Sequence, residues 1–250
     1  GINGISTLAF SSIFRFNNLA IQKDGKIITS GNYLLNSRYN YLIIRFNTNG
    51  TVDTSFNNSG SLFFRTGTTT SDEDDNGGLG LFIQSDGKII TCGYNEQGNG
   101  TIAKVDTNGK LDSSFGPNGR GYVFVNDFKL SSIIEHNNKI VASGNVDRSG
   151  TSNDRLGLVR FLSNGNLDAS FNSTGIAFNS NSVSSGFKSD LRIFNNKYIT
   201  CYLSQLFSFD FNGALTSFYD NSQLLYWGNS INSYGSSVFI SGLNYISAAR

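Results

Sequence analysis

Gln84–Ile90 (QSDGKII) and the later Asn108–Phe115 (NGKLDSSF) decide how this chain folds, because both phrases come back. The first returns as Gln22–Ile28 (QKDGKII) and, more loosely, as Glu135–Val141 (EHNNKIV) and Phe194–Thr200 (FNNKYIT). The second returns as Asn49–Phe56 (NGTVDTSF), Asn164–Phe171 (NGNLDASF) and the degraded Asn212–Phe218 (NGALTSF). Fixed phrases at intervals of 47 to 62 residues mark an array of one supersecondary unit.

Within the second copy, Leu79–Gln84 reads as a short apolar strand. Ser85-Asp86-Gly87-Lys88 then reads as a hairpin turn with two central residues, since Asp-Gly tolerates the positive φ of a type I′ turn. Ile89–Cys92 is the return strand and Thr101–Val105 the third. Leu111–Phe115 leads through Gly116-Pro117-Asn118-Gly119 into a fourth, Gly121–Val125. Four short antiparallel strands with a turn at each junction make the blade of a β-propeller, and no segment sustains a helical apolar period.

Gly1-Ile2-Asn3-Gly4 matches Gly116-Pro117-Asn118-Gly119, so 5–10 reads as an orphan fourth strand. Full blades follow at about 17–66, 79–126, 130–180 and 190–228, and 231–250 supplies the first three strands of another. The expected fold is therefore all-β: a single domain over 1–250, a five-bladed propeller closed by the N-terminal strand, which would remove the exposed sheet edges. The alternative is part of a larger ring of six to eight blades.

Lys+Arg number 19 against Asp+Glu 18, so charge gives no pointer to nucleic acid. No apolar stretch approaches the ~20 residues of a membrane span. The chain opens on Gly and contains no Met, so an upstream segment is expected. Cys92 and Cys201 share a repeat position held elsewhere by Ser30, Ser143 and Ser241, which reads as a slot for a small buried side chain.

The phrases Gln-x-Asp-Gly-Lys-Ile and Leu-Asp-x-Ser-Phe-Gly-x-x-Gly resemble the bacterial delta-60 repeat. That resemblance implies a propeller-like domain in a large secreted or surface-associated protein, and it carries no catalytic residues. The fourth repeat departs most, with Asn195-Asn196-Lys197 in place of Asp-Gly-Lys.

A basic residue stands eight positions before an acidic one in three repeats: Arg45 and Asp53, Lys104 and Asp112, Arg160 and Asp168. The fourth has Ser208 and Thr216, losing both together. An ion pair orienting the loop between the third and fourth strands is expected, within a blade or between blades, anchored by Phe56, Phe115, Phe171 and Phe218. Asp106-x-Asn108-Gly109-x-x-Asp112 is similar to a calcium loop but lacks the oxygens to complete one, so it reads as a turn. Asp72, Asp74 and Asp75 lie in the densest acidic run, a solvated loop with the alternative of a weak calcium site. No other cofactor is expected. His136 has no second His for a metal and no motif partner for a triad.

The repeated turns face one side, and the variable connections face the other, where recognition usually resides. Those connections carry Tyr33, Arg38, Tyr39, Tyr94, Glu96, Gln97, Asp147, Arg148, Asp154 and Arg155 as candidate binding residues. The expected function is a non-catalytic binding or structural module of an extracellular, cell-surface or virion-surface assembly, making protein–protein contacts as part of a larger polypeptide or assembly. A carbohydrate-binding propeller is the alternative and a glycoside hydrolase the third reading. The predicted inner strands offer such an enzyme only Asp190 and Glu135.

Overall fold

The computed structural model describes residues 13–35, 38–66, 76–95, 97–146, 155–179, 189–202, 205–220, 228–234, 237–242 and 246–249. These form five antiparallel sheets with their strands in chain order. The first contains β1 (Phe14–Ile21), β2 (Ile27–Leu35), β3 (Arg38–Phe46) and β4 (Ser61–Phe64). The second contains β5 (Asn76–Ile83), β6 (Ile89–Tyr94), β7 (Gly100–Val105) and β8 (Tyr122–Val125). The third contains β9 (Phe128–His136), β10 (Lys139–Val146), β11 (Arg155–Phe161) and β12 (Ile176–Phe178). The fourth contains β13 (Asp190–Phe194), β14 (Lys197–Tyr202), β15 (Gln205–Phe209) and β16 (Leu215–Asp220), and the fifth β17 (Gly228–Tyr234), β18 (Ser237–Gly242) and β19 (Ile246–Ala249). The chain divides into two compact units, Gly1–Asn126 with the first two sheets and Asp127–Arg250 with the other three.

In the first unit, Ile28, Ile43, Phe56 and Leu62 of the first sheet form one apolar cluster with Ile89 and Val105 of the second. In the second unit, Val141, Leu156, Leu158 and Phe171 meet Leu191, Tyr198, Phe207 and Phe209 of the fourth sheet. Ile199 and Cys201 in turn pack on Ile231 of the fifth. Each such large side chain contributes about 1.5–3 kcal/mol when buried, so sheet stacking is the main source of stability within each unit.

The turn between the first two strands corrects one expectation. In the first two repeats it is a loop of three residues, not two: Ile21 pairs with Ile27 and Ile83 with Ile89, and Gln22 and Gln84 accept from Gly25 and Gly87. Gly25 and Gly87 take φ of 81° and 86°, the left-handed residue that ends such a loop. The two-residue turn with both φ positive occurs instead at Asn137-Asn138 (51° and 58°) and Asn195-Asn196 (47° and 56°). Asn tolerates that region better than other side chains, so dropping Gly costs these repeats little. The shorter loop places His136 opposite Lys139, in the register position of Gln22.

A second glycine is set by close approach. β1 carries an irregularity between Phe16 and Asn18, which drives the Arg15 carbonyl toward Gly31. A Cβ on Gly31 would lie 1.8 Å from that oxygen, and one on Gly144 would lie 2.3 Å from the Lys129 oxygen at the matching irregularity in β9.

The closed five-bladed propeller is not what the structure has. Four sheets have four strands and the fifth has three, and none closes or curls on itself. Among the described residues no fourth strand joins β17–β19, and 5–10, assigned to that role, lies outside them. A repeat pattern specifies pairing inside each unit; pairing between the two ends of a chain has no such local signal. Among the described residues no helix is long and apolar enough to cross a membrane.

Candidate functional site

Each Asp-x-Ser-Phe phrase folds its aspartate back beneath its own sheet. Val52 makes a single bridge to Phe46, and the chain then leaves the ladder, so that the Asp53 N–H donates to the Arg45 carbonyl at 2.9 Å. Arg45 Nε donates to Asp53 Oδ2 at 2.7 Å, and Lys26 Nζ from the first hairpin reaches the same oxygen at 2.9 Å. The Ser55 hydroxyl donates to Oδ1 at 2.6 Å. Arg45 then reaches out of its sheet, Nη1 donating to the Thr107 carbonyl of the second at 2.8 Å, while the Asn57 N–H donates to the Asn108 carbonyl at 2.7 Å. Phe56 lies under the guanidinium, 4.7 Å from its carbon. This cluster is a clasp between neighbouring blades.

The third repeat builds the same clasp. Arg160 Nε and Lys139 Nζ meet Asp168 Oδ2 at 2.7 and 2.6 Å, Arg160 Nη1 donates to the Phe211 carbonyl at 2.5 Å, and Phe171 lies under the guanidinium. The second repeat differs. Asp112 takes Lys88 at 2.8 Å, while Lys104, expected as its partner, places its Nζ 5.8 Å over the Phe115 ring. A lysine lacks the fork with which arginine serves a carboxylate and a second acceptor at once. In the fourth repeat Ser208 Oγ bonds the hydroxyls of Thr216 and Ser217 at 2.7 and 2.6 Å, a neutral replacement. Phe218 stands in β16 opposite Phe207.

Burial would raise the carboxyl pKa values, but the hydrogen bonds from Ser55 and Lys26 and the charge of Arg45 hold Asp53 well below the usual carboxylate range. Asp168 is held low by Lys139, Ser170 and Arg160 in the same way, and Asp112 is pushed down to about 2 by Lys88 and Ser114 against its burial. Asp106 spends its Oδ1 on the N–H groups of Asn108 and Lys110, a turn rather than a cation loop. Asp190 accepts from the Ile231 N–H at 2.8 Å and so ties the fourth sheet to the fifth. Burial raises the thiol pKa of both buried cysteines, that of Cys201 to about 12. Among the described residues no group of three or more His, Cys, Asp or Glu could hold a metal.

One polar depression of about 330 Å³ opens on the third and fourth repeats, lined by His136, Asn137, Lys139, Arg160, Ser170, Tyr198, Phe211 and Asn212. His136 Nδ1 and the Tyr198 hydroxyl share a hydrogen bond of 2.8 Å, and Phe211 packs 4.3 Å from the imidazole and 5.0 Å from the Tyr198 ring. Burial, then the Arg160 charge, lowers the His136 pKa. Sequence reasoning missed this pocket because His136 comes from the third repeat and Tyr198 and Phe211 from the fourth. The available signal was departure from the repeat: Tyr198 replaces Ile89, and Phe211 replaces Thr107.

The residues expected on variable loops stand on three sheets, several within strands. Tyr33 lies in β2 with its ring 4.7 Å from Phe63, Arg38 and Tyr39 open β3, and Arg15 lies over the Tyr39 ring at 5.3 Å. Tyr94 ends β6 buried, its hydroxyl pKa pushed up to about 12. The Gln97 N–H donates to Asn95 Oδ1 in the next turn, and Arg155 begins β11. Glu96, Asp147, Arg148, Asp154, Asp72, Asp74 and Asp75 lie outside the described residues.

Three stretches, 22–56, 84–115 and 136–171, match a family model described as a domain of unknown function (DUF5122) beta-propeller, together less than half of the chain. Each runs from the Gln22, Gln84 or His136 position to the buried Phe under the clasp, the same alignment that the strand register gives. No curated protein matches. Among solved structures, the chain is similar to a protein of unknown function from Bacteroides caccae, at 12% identity over 91% of this chain and 70% of that one, with a TM-score of 0.51. It is also similar to an acylaminoacyl peptidase, at 11% identity over 91% of this chain and 35% of that one, TM-score 0.49. An α-L-arabinofuranosidase from Clostridium thermocellum follows at 10% identity over 86% and 74%, TM-score 0.42. The fold of this chain is β-propeller-like.

Proposed function

We propose that the chain is a non-catalytic binding or structural module of an extracellular, cell-surface or virion-surface assembly, working through protein–protein contact. The outer face of the first sheet carries this reading. Leu19, Ile21, Ile27 and Phe46 hold the register positions of Leu81, Ile83, Ile89 and Val105. In the second sheet those residues pack against the first, with Ile89 and Val105 fully buried. In the first sheet Leu19 and Ile21 are 62% and 67% exposed, and Phe14, Phe16, Leu19, Ile27 and Phe46 border an apolar groove of about 330 Å³. A surface with the chemistry of a blade-to-blade seam is suited to another sheet of the same kind.

A second copy of the chain offers such a sheet, and two of these faces can meet across a two-fold axis. The clasp carboxylates suit a structural role, because their oxygens are taken up by arginine, lysine and serine of the same clasp. Resemblance to delta-60 repeats supports the surface setting. Sedimentation velocity tests the contact. The wild type is expected to dimerise with rising concentration, and the double variant Leu19→Lys, Ile21→Lys to stay monomeric with an unchanged thermal midpoint. A wild type that remains monomeric throughout overturns it.

A second reading, carbohydrate binding, is favoured by the pocket at His136, which combines aromatic rings with amide and hydroxyl groups in a space suited to one sugar ring.

A further inference from the structure

The pocket on the third and fourth repeats gathers departures from the repeat on separate segments. His136 stands where the first two repeats have Gln22 and Gln84. Tyr198 stands in the register of Ile27, Ile89 and Ile140, and Phe211 in the place of Thr48, Thr107 and Ser163. The Phe211 ring is not needed to close a clasp, since Arg45 uses the Thr107 backbone carbonyl as Arg160 uses that of Phe211. What the three replacements build together is a polar hollow walled by Phe211 and His136, with the hydroxyl of the buried Tyr198 bonded to His136.

Charge distinguishes this clasp as well. Lys139 and Arg160 share the single carboxylate of Asp168, leaving one positive charge over. In the first repeat that excess is met by Asp24, 3.9 Å from Lys26, and in the second by Asp86 and Asp106 near Lys88. The third repeat has Asn137 at the turn and Leu162 at the position of Asp106. Asp210, beside Phe211, turns its Oδ1 to the N–H groups of Asn212 and Ala214. The hollow is therefore cationic and has no carboxylate among its lining residues.

We propose that this hollow binds an acidic sugar, its carboxylate toward Lys139 beside the buried Arg160 and its ring against Phe211 and His136, with Asn137, Ser170 and Asn212 serving the hydroxyls. The assignment rests on the carbohydrate-binding reading and adds the charge. Apolar sugar faces suit aromatic rings, and a carboxylate suits an uncompensated arginine–lysine pair.

The chain's only histidine lies in the hollow and reports on it. It faces Arg160, Lys139 and Tyr198, with Asp168 behind them. Proton NMR of the His136 imidazole is followed during titration with sodium glucuronate, and separately with glucose. Glucuronate is expected to give saturable shifts with a Kd in the millimolar range and to raise the His136 pKa by about half a unit, because a bound anion favours the imidazolium. Glucose is expected to bind more weakly and leave that pKa unchanged. The reverting variant Phe211→Thr restores the repeat's own residue, keeps the probe, and is expected to lose the response. Phe211→Leu serves if that variant impairs folding. Glucose binding as well as glucuronate overturns the acidic-sugar assignment and leaves the carbohydrate reading standing. Silence from both ligands, or a response that survives reversion, overturns both.

Discussion

Arg45 in β3 and Thr107 in the turn after β7 are 62 positions apart and are joined by an Nη1–H to carbonyl bond of 2.8 Å. The same guanidinium holds Asp53 through Nε at 2.7 Å and lies over the Phe56 ring. One side chain therefore sets the fold of its own loop and the position of the next blade, and Arg160 repeats the arrangement with Asp168 and Phe211.

Arg45→Met should cost about 2–3 kcal/mol, the range for hydrogen bonds to charged groups, because it strips Asp53 of a buried partner. Arg45→Lys should cost roughly half of that, since a lysine can keep its charge over the Phe56 ring as Lys104 does over Phe115. Ser208→Ala, in the neutral version of the clasp, should cost only about 1 kcal/mol. Urea unfolding of the three variants gives the order directly.

Acid should weaken the fold through the same carboxylates. Their folded pKa values lie below the unfolded ones, so their stabilisation is present above pH ~4 and is lost as pH falls through the folded value. For Asp112, pushed down to about 2, the contribution at neutral pH is about 2 kcal/mol. Thermal midpoints from pH 6 to 2 should decline below about pH 4, and less steeply in Asp112→Asn, which has already lost the term. A wild-type midpoint that is flat across that range would contradict the clasp.

Gly31→Ala should unfold the first sheet or cost at least about 3 kcal/mol, because the new methyl group meets the Arg15 carbonyl and backbone must move. Ser30→Ala beside it loses one hydrogen bond, to the Gly78 carbonyl at 3.0 Å, and should cost about 1 kcal/mol. Circular dichroism melts of the two variants separate a steric demand from a polar one.

Blades were legible because their signals are local. Asp-Gly and Asn-Gly turns, apolar alternation and a returning Phe each act within a few residues. The spacing of eight between Arg45 and Asp53 also marked a pair, as the loss of both members at Ser208 and Thr216 suggested. In the sequence Lys26, Lys88 and Lys139 are marked only by their place at a turn, yet each closes on a clasp aspartate. Their role was hidden because the first hairpin and the third-to-fourth loop meet only after the sheet has formed. The turn itself was misread in the first two repeats, where one additional residue shifts the register and turns Gln22 toward the Gly87 carbonyl at 3.4 Å.

By itself, the sequence determined the all-β class, the four-stranded unit and the buried Phe56, Phe115 and Phe171 of the first three repeats, since strand period and turn chemistry operate over neighbouring residues. Only the tertiary structure decided that Arg45 grips the following blade, that Leu19 and Ile21 remain uncovered, and that His136, Tyr198 and Phe211 share one hollow. These are relations between residues about a repeat apart or between a face and what covers it. They exist only once sheets have stacked, so no local pattern encodes them.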